Sequence, residues 1–434
     1  MSNKQTPGLT NAPALQDRLT EGNVTLAGTS LSRFNWRLAV ALLLGGILWI
    51  APYVGSIGVL MPALVAQIAP DDKVALVSVM GIAGALLSLV SNVVFGALSD
   101  ATRTRFGARA PWIVGGALAS AASLYAFSTA DSVPTLILWW CVYMTVLNAI
   151  IAPMVAEIAD RVPEKYRGTV SSIYGVGMLV GATGASIVAA GFVGDPGAGI
   201  VLFTIATVLS AVVFVAIAPR TSNLDAARTR VTAGALVRSF RPPTKGARDF
   251  YLALFGKFFL VAGTFAVSNY QLYILTDYIR LDEAGTAEVI AVNGTISLVT
   301  GLVFGFASGP ISDRLGRRKP FVVTAALIVA VGMLFPFLVP AAWAMIAYAV
   351  FAGVGGGVFN SVDQALNVDV LPDKESAAKD LGILNIANSG GQILGPVVMS
   401  VIVTATGGYQ AGFIAGMIML VLAGALIIPI RSVR

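Results

Sequence analysis

The sequence contains no histidine and a single cysteine, Cys141, among its 434 residues. Without imidazole, Ser-His-Asp triads, His-paired thiol nucleophiles and histidine metal sites are excluded. One cysteine excludes an intramolecular disulfide and a cysteine metal cluster. No G-x-x-x-x-G-K-[ST] string occurs, so there is no P-loop for ATP. No nucleophile–base set can be assembled, no cofactor or metal is called for, and an enzyme is not expected. Charge is scarce as well: 12% of the residues carry it, half the roughly 25% of a soluble domain.

What is present is apolar. Hydrophobic residues make up 56% of the chain and the mean hydropathy is +0.82. About 20 apolar residues cross a bilayer, and windows of that length recur twelve times between Leu38 and Ile430. Lipid-exposed single strands would leave backbone groups unpaired, so the spans are helices. The expected fold is an all-α polytopic membrane protein. Of the 28 Lys and Arg residues, 25 fall in the N-terminal tail, the even-numbered connections and the C-terminal tail. This positive-inside bias places both termini in the cytoplasm, and the expected location is the plasma (inner) membrane. It also accounts for the net charge of +6 with no nucleic-acid partner.

The longest connection divides the chain into a cytoplasmic tail (1–37), a six-span unit (38–218), a basic central loop (219–249), a second six-span unit (250–430) and a short C-terminus (431–434). The halves repeat each other. Gly-x-x-Ser-Asp occurs at Gly96–Asp100 and Gly309–Asp313, 213 residues apart. Asp-x-x-Pro-x-Lys occurs at Asp160–Lys165 and Asp369–Lys374, 209 residues apart. Two independent pairs at nearly the same offset indicate a duplicated six-helix unit, a common construction in secondary transporters.

The connection after span 2 reads GALSDATRTRFGARAPWIV from Gly96, and its counterpart after span 8 reads GPISDRLGRRKPFVV from Gly309. With twelve spans and a central loop, these strings resemble the major facilitator superfamily over essentially the whole chain. The first string is similar to that of the glycoside–pentoside–hexuronide symporters and the related sucrose transporters. The resemblance implies two pseudo-symmetric six-helix bundles, spans 1, 4, 7 and 10 around a central cavity, and a monomer as the working unit. Asp100 and Asp313 end their helices at the negative pole, where cationic partners are favoured. Arg103, Arg105, Arg109 and, in the second half, Arg314, Arg317, Arg318 and Lys319 can supply them. Of these, Arg103, Arg109 and Arg317 are the candidates for a cytoplasmic gate that latches the two bundles when the protein is closed inside and breaks when it opens.

Helical spacing tests the implied cavity. In span 10, Asn360, Asp363, Gln364 and Asn367 share a face; in span 11, Asn388 and Gln392 do, with Asn385. Tyr270 and Tyr273 share a face of span 7, beside Asn269. Span 1 aligns Trp49 and Tyr53 after a bend expected at Pro52, and span 4 offers Trp140 and Asn148. Amides bond hydroxyls in both directions and aromatic rings suit sugar faces, so these residues are candidates for a small polar solute. The competing reading is interhelical packing, which Asn and Gln also serve at about 0.6 kcal/mol each. A charge inside a span costs on the order of 2.5–3.5 kcal/mol. The candidates for proton coupling are therefore Asp363 and Glu157, unless each merely pairs with a nearby cation, Asp363 with Lys257. Sodium-coupled glycoside symporters resemble one another in carrying acidic residues within spans 2 and 4. Span 2 here has only Ser88, Ser91 and Asn92 before Asp100, so a proton is favoured over sodium. The expected function is proton-coupled uptake of a sugar, glycoside or similar solute by alternating access; drug or metabolite efflux is the alternative.

Overall fold

The computed structural model describes residues 34–219, 222–224, 243, 247–371 and 377–432. Within them twelve helices are long and apolar enough to cross a membrane. They are α1 Trp36–Ile68, α2 Lys73–Ala101, α3 Ala110–Ser128, α4 Val133–Arg161, α5 Glu164–Ala190 and α6 Pro196–Ile217. The second set is α7 Arg248–Ser268, α8 Glu283–Leu315, α9 Lys319–Leu338, α10 Ala342–Asp369, α11 Ala377–Thr406 and α12 Gln410–Ile427.

Local chemistry sets the helix ends. The side chains of Asn35, Asp195 and Asp282 accept from the first-turn amides of Leu38, Ala198 and Gly285, satisfying donors that have no intrahelical partner. α8 stops at Gly316, whose φ of 59° is a left-handed cap that a Cβ would strain.

Packing repeats between the halves. α1 lies against α5 and α6, α3 against α4 and α6, and α2 against α4; α7 lies against α11 and α12, α9 against α10 and α12, and α8 against α10. Every pairing in the first bundle thus has its counterpart in the second. Small residues permit these approaches. A Cβ on Gly177 or Gly181 would strike the backbone of Leu43 or Ile47, and one on Gly391 or Gly395 the backbone of Phe258 or Ala262. The two bundles meet along α2–α11 and α5–α8.

Two irregularities break the symmetry of long helices. α1 runs on through Pro52 and widens into a π turn at Ser56–Leu60. The expected continuous seventh span ends at Ser268; a short helix Gln271–Tyr273 and a π turn Ile274–Tyr278 carry the chain on. The π turns lie 218 residues apart, the same relation as the sequence repeats. Such turns mark points where a helix gives up regular bonding, often at functional positions.

Candidate functional site: interior polar groups and two gates

The second bundle holds a buried ion pair. Lys257, on α7, donates to Asp363 Oδ2 of α10 at 2.7 Å, and both side chains are only 7% and 6% exposed. Asn367, one turn along α10, donates to the same oxygen at 2.9 Å, while its own Oδ1 is buried without a partner. The pairing that the sequence offered for Asp363 is therefore present. Asn360, one turn the other way, is exposed, and Asn388 and Gln392 on α11 are partly exposed. The side chains of Gln364 and Asn385 lie outside the described residues. Glu157, by contrast, is paired along its own helix, accepting from Arg161 at 2.9 Å, and Arg161 also donates to the Pro219 carbonyl.

In the first bundle Trp49 donates to the Tyr174 hydroxyl of α5 at 3.0 Å, with the ring of Tyr53 partly exposed one turn further. Trp140 and Asn148 are committed elsewhere. Trp140 is fully enclosed, donating to the Met80 carbonyl beside Phe127 and Tyr143. Asn148 donates to Ser88 Oγ and accepts from Asn92. Both residues join α2 to α4, so in this conformation they hold helices together and offer nothing to a cavity. The packing reading explains them because each polar atom meets a partner on the neighbouring helix.

Tyr270 and Tyr273 also differ from the expectation of cavity lining. They close the molecule at the end opposite the termini. Tyr273 donates to the Pro62 carbonyl of α1 at 2.8 Å and Tyr270 to the Val74 carbonyl of α2 at 3.0 Å, both across the bundle boundary. Asn269, beside them, is buried. Lys73, at the start of α2, pairs with Asp277 at 2.8 Å and lies 4.9 Å from the Tyr273 ring centre. Tyr409 donates to Asp277 Oδ2, the oxygen Lys73 also pairs with, at 3.4 Å. Burial, followed by the Asp277 charge, pushes the Tyr409 phenol above its ordinary pKa.

At the terminus-bearing end the described ion pairs each stay within one bundle. Arg109 lies between Asp100 at 2.5 Å and Asp160 at 2.7 Å and donates to Ser99. Burial opposes its charge, yet the Asp160 and Asp100 carboxylates hold the guanidinium above its ordinary pKa. In the second bundle Arg318 spans Asp369 at 2.9 Å and Asp313 at 3.7 Å. Arg318, not Arg317, is the partner. Arg109 and Arg318 each occupy the position before the next helix, which turns them back over the preceding helix end, whereas the Arg317 side chain is exposed. Arg103 donates to the Asp100 and Thr102 carbonyls, within the same connection. The two sequence repeats therefore converge: each bundle ties the ends of its second and fourth helices with one arginine. The repeat of Asp160 as Asp369 was the available signal for this.

Among the described residues, every ion pair across the bundle boundary lies at the end opposite the termini. Two six-helix bundles joined across one end by an ion pair and tyrosine hydrogen bonds define a polytopic membrane protein with the fold of secondary transporters. The chain belongs to the major facilitator superfamily, whose family model matches residues 38–281 and 253–434. Similar solved structures include a bacterial homologue of the human lysosomal transporter Spinster, inward-facing and unoccupied, at 15% identity and TM-score 0.69, covering 91% of this chain and 97% of that one. They also include a variant of the nucleoside transporter NupG (13%, TM-score 0.68, 90% and 98%) and a POT family transporter in complex with a thioalcohol-conjugated peptide (14%, TM-score 0.71, 89% and 94%). No curated protein matches the chain. At these identities the likeness carries the fold and no solute.

Proposed function

We propose that this protein is a secondary active transporter that takes up a small polar organic solute, of the sugar or glycoside kind, together with a proton. The observation that carries the reading is the buried Lys257–Asp363 pair. An ionised carboxylate held inside a span is expensive, and here a neighbouring lysine makes its charge tolerable and its protonation responsive to what else enters. Trp49, Tyr53, Asn360, Asn388 and Gln392 are the proposed solute contacts, with Gln364 on the same helix face. The Lys and Arg distribution supports cytoplasmic termini, and the plasma membrane is the proposed location. In that orientation this conformation is shut toward the outside by Tyr270, Tyr273 and Lys73. The loop string from Ser99 to Trp112, similar to that of the glycoside–pentoside–hexuronide symporters, supports a sugar-like solute.

Transport then requires that proton and solute each bind one gate state better than the other, because a ligand with equal affinity for both shifts nothing. The test is accumulation in proteoliposomes across a solute panel, with a proton or a sodium gradient as the only driving force. Accumulation is expected to follow the proton gradient. Asp363→Asn is expected to lower it more than about tenfold while solute exchange persists. Unchanged accumulation in that variant removes Asp363 from coupling. Silence across the panel, with pH-dependent binding of a hydrophobic dye, favours efflux.

A further inference from the structure

Resting on the coupling reading of Asp363, we infer that the co-transported solute is an anion: a sugar acid or hydroxy acid whose carboxylate replaces Asp363 as the partner of Lys257. The argument is one of charge at a buried site. With Asp363 ionised, the Lys257–Asp363 pair is neutral, and its side chains are 7% and 6% exposed. Protonating Asp363 alone would leave an unpaired ammonium in that interior, a far costlier state than the pair. A neutral sugar offers hydroxyls but no compensating charge. An anionic solute does, so that protonated Asp363, the Lys257 ammonium and the solute carboxylate again sum to zero.

The surroundings leave Lys257 as the group that must be answered. α10 is packed by α8 and α9 through Gly301, Gly305, Ala325 and Val329, none of which carries charge. α7 brings Lys257; among the described residues the other buried ionisable groups of this bundle are Asp380 on α11 and the phenols of Tyr270, Tyr273, Tyr348 and Tyr409. Lys257 has three donors and spends one on Asp363. Asn367 suits both protonation states. It now donates to ionised Asp363, and its buried, unpartnered Oδ1 becomes the acceptor for the carboxyl proton once the amide turns over. In sequence, the solute carboxylate takes the ammonium, the incoming proton binds Asp363, and Asn367 accepts that proton's hydrogen bond. Release of both restores the Lys257–Asp363 pair.

The experiment uses the full-length protein in proteoliposomes under an imposed pH gradient, with matched probes: galactose against galacturonate and glucose against gluconate. Solute uptake, internal pH and membrane current are followed together. The expected result is accumulation of an acid at least about tenfold over its neutral partner, with one proton entering per solute and no net current. Lys257→Gln is expected to abolish that preference. Because the single variant strands Asp363, Lys257→Gln/Asp363→Asn serves as the charge-free control, expected to fold and to carry acid and neutral partner equally. Accumulation of a neutral sugar with current, acid preference surviving in the double variant, or no acid-dependent proton uptake from either probe overturns the inference. Proton-driven accumulation persisting in Asp363→Asn instead marks failure of the coupling reading beneath it.

Discussion

At the residue scale, two arginines do the same work under different conditions. Arg109 is buried, touches Asp100, Asp160 and Ser99, and leaves its carboxylates 48% and 39% exposed. Arg318 is 27% exposed, and its nearer carboxylate, Asp369, is 38% exposed while Asp313 is 69% exposed. A fully buried pair broken from one side costs about 3–5 kcal/mol, an exposed one less than about 1. Arg109→Gln is therefore expected to lose roughly 1–3 kcal/mol and Arg318→Gln under about 1 kcal/mol. Thermal unfolding of the two variants in detergent compares them directly; equal losses would show that burial does not separate the two sites. Sequence alone identified Asp100, Asp313 and the basic residues around them, but it could not choose Arg318 over Arg317. That choice depends on the left-handed turn at Gly316 and on which residue precedes α9. Asn148 illustrates the opposite limit. Its polarity is legible, but its commitment to Ser88 and Asn92 exists only after α2 and α4 are packed together.

At the element scale, the helices were legible because hydropathy over about 20 residues is imposed by the bilayer and needs no tertiary context. Gly177, Gly181, Gly391 and Gly395 serve packing for a related reason: side chains must be absent where backbones meet. The break after Ser268 was not, since no proline or glycine stands between Gly263 and Arg280 and the irregularity comes from how Tyr270 and Tyr273 reach the other bundle. Pro52 lies inside a continuous helix, and the irregular hydrogen bonding comes one turn later, at Ser56–Leu60. Packing also sets a gradient of tolerance. A Cβ on Gly395 would meet the Ala262 carbonyl and the Ala266 amide, whereas one on Gly175 would meet nothing. Gly395→Val is expected to cost about 1–3 kcal/mol through backbone displacement between α7 and α11. Gly175→Val, exposed on α5, should stay within about 0.5 kcal/mol. The midpoints of detergent-solubilised unfolding check the contrast, and a stable Gly395→Val would show that α11 can slide away from α7.

At the scale of the whole molecule, the two ends are held by unequal chemistry. The end opposite the termini is joined across the boundary by the hydrogen bonds of Tyr270 and Tyr273 and by Lys73–Asp277, and Ser400 adds a hydrogen bond to the Val74 carbonyl. At the other end the charges are turned inward upon their own bundles. Opening the closed end must therefore break the Lys73–Asp277 pair, while closing the other end breaks no described pair. Lys73 and Asp277 are 21% and 33% exposed, so their pair is worth no more than about 1 kcal/mol. That is a shift of roughly fivefold in the ratio of the two states. Lys73→Gln is expected to move the population toward opening at that end, and Asp277→Asn to do the same. The charge-swapped Lys73→Asp/Asp277→Lys protein should recover most of the original balance. Spin labels at Asp71 and Gln410, on a Cys141→Ala background, report the separation of the bundles at that end as a distance distribution. A long-distance population that grows in each single variant and recedes in the swap assigns the balance to the ion pair. Distributions unchanged in all three would assign it to the tyrosine hydrogen bonds alone, and Tyr273→Phe would then carry the shift.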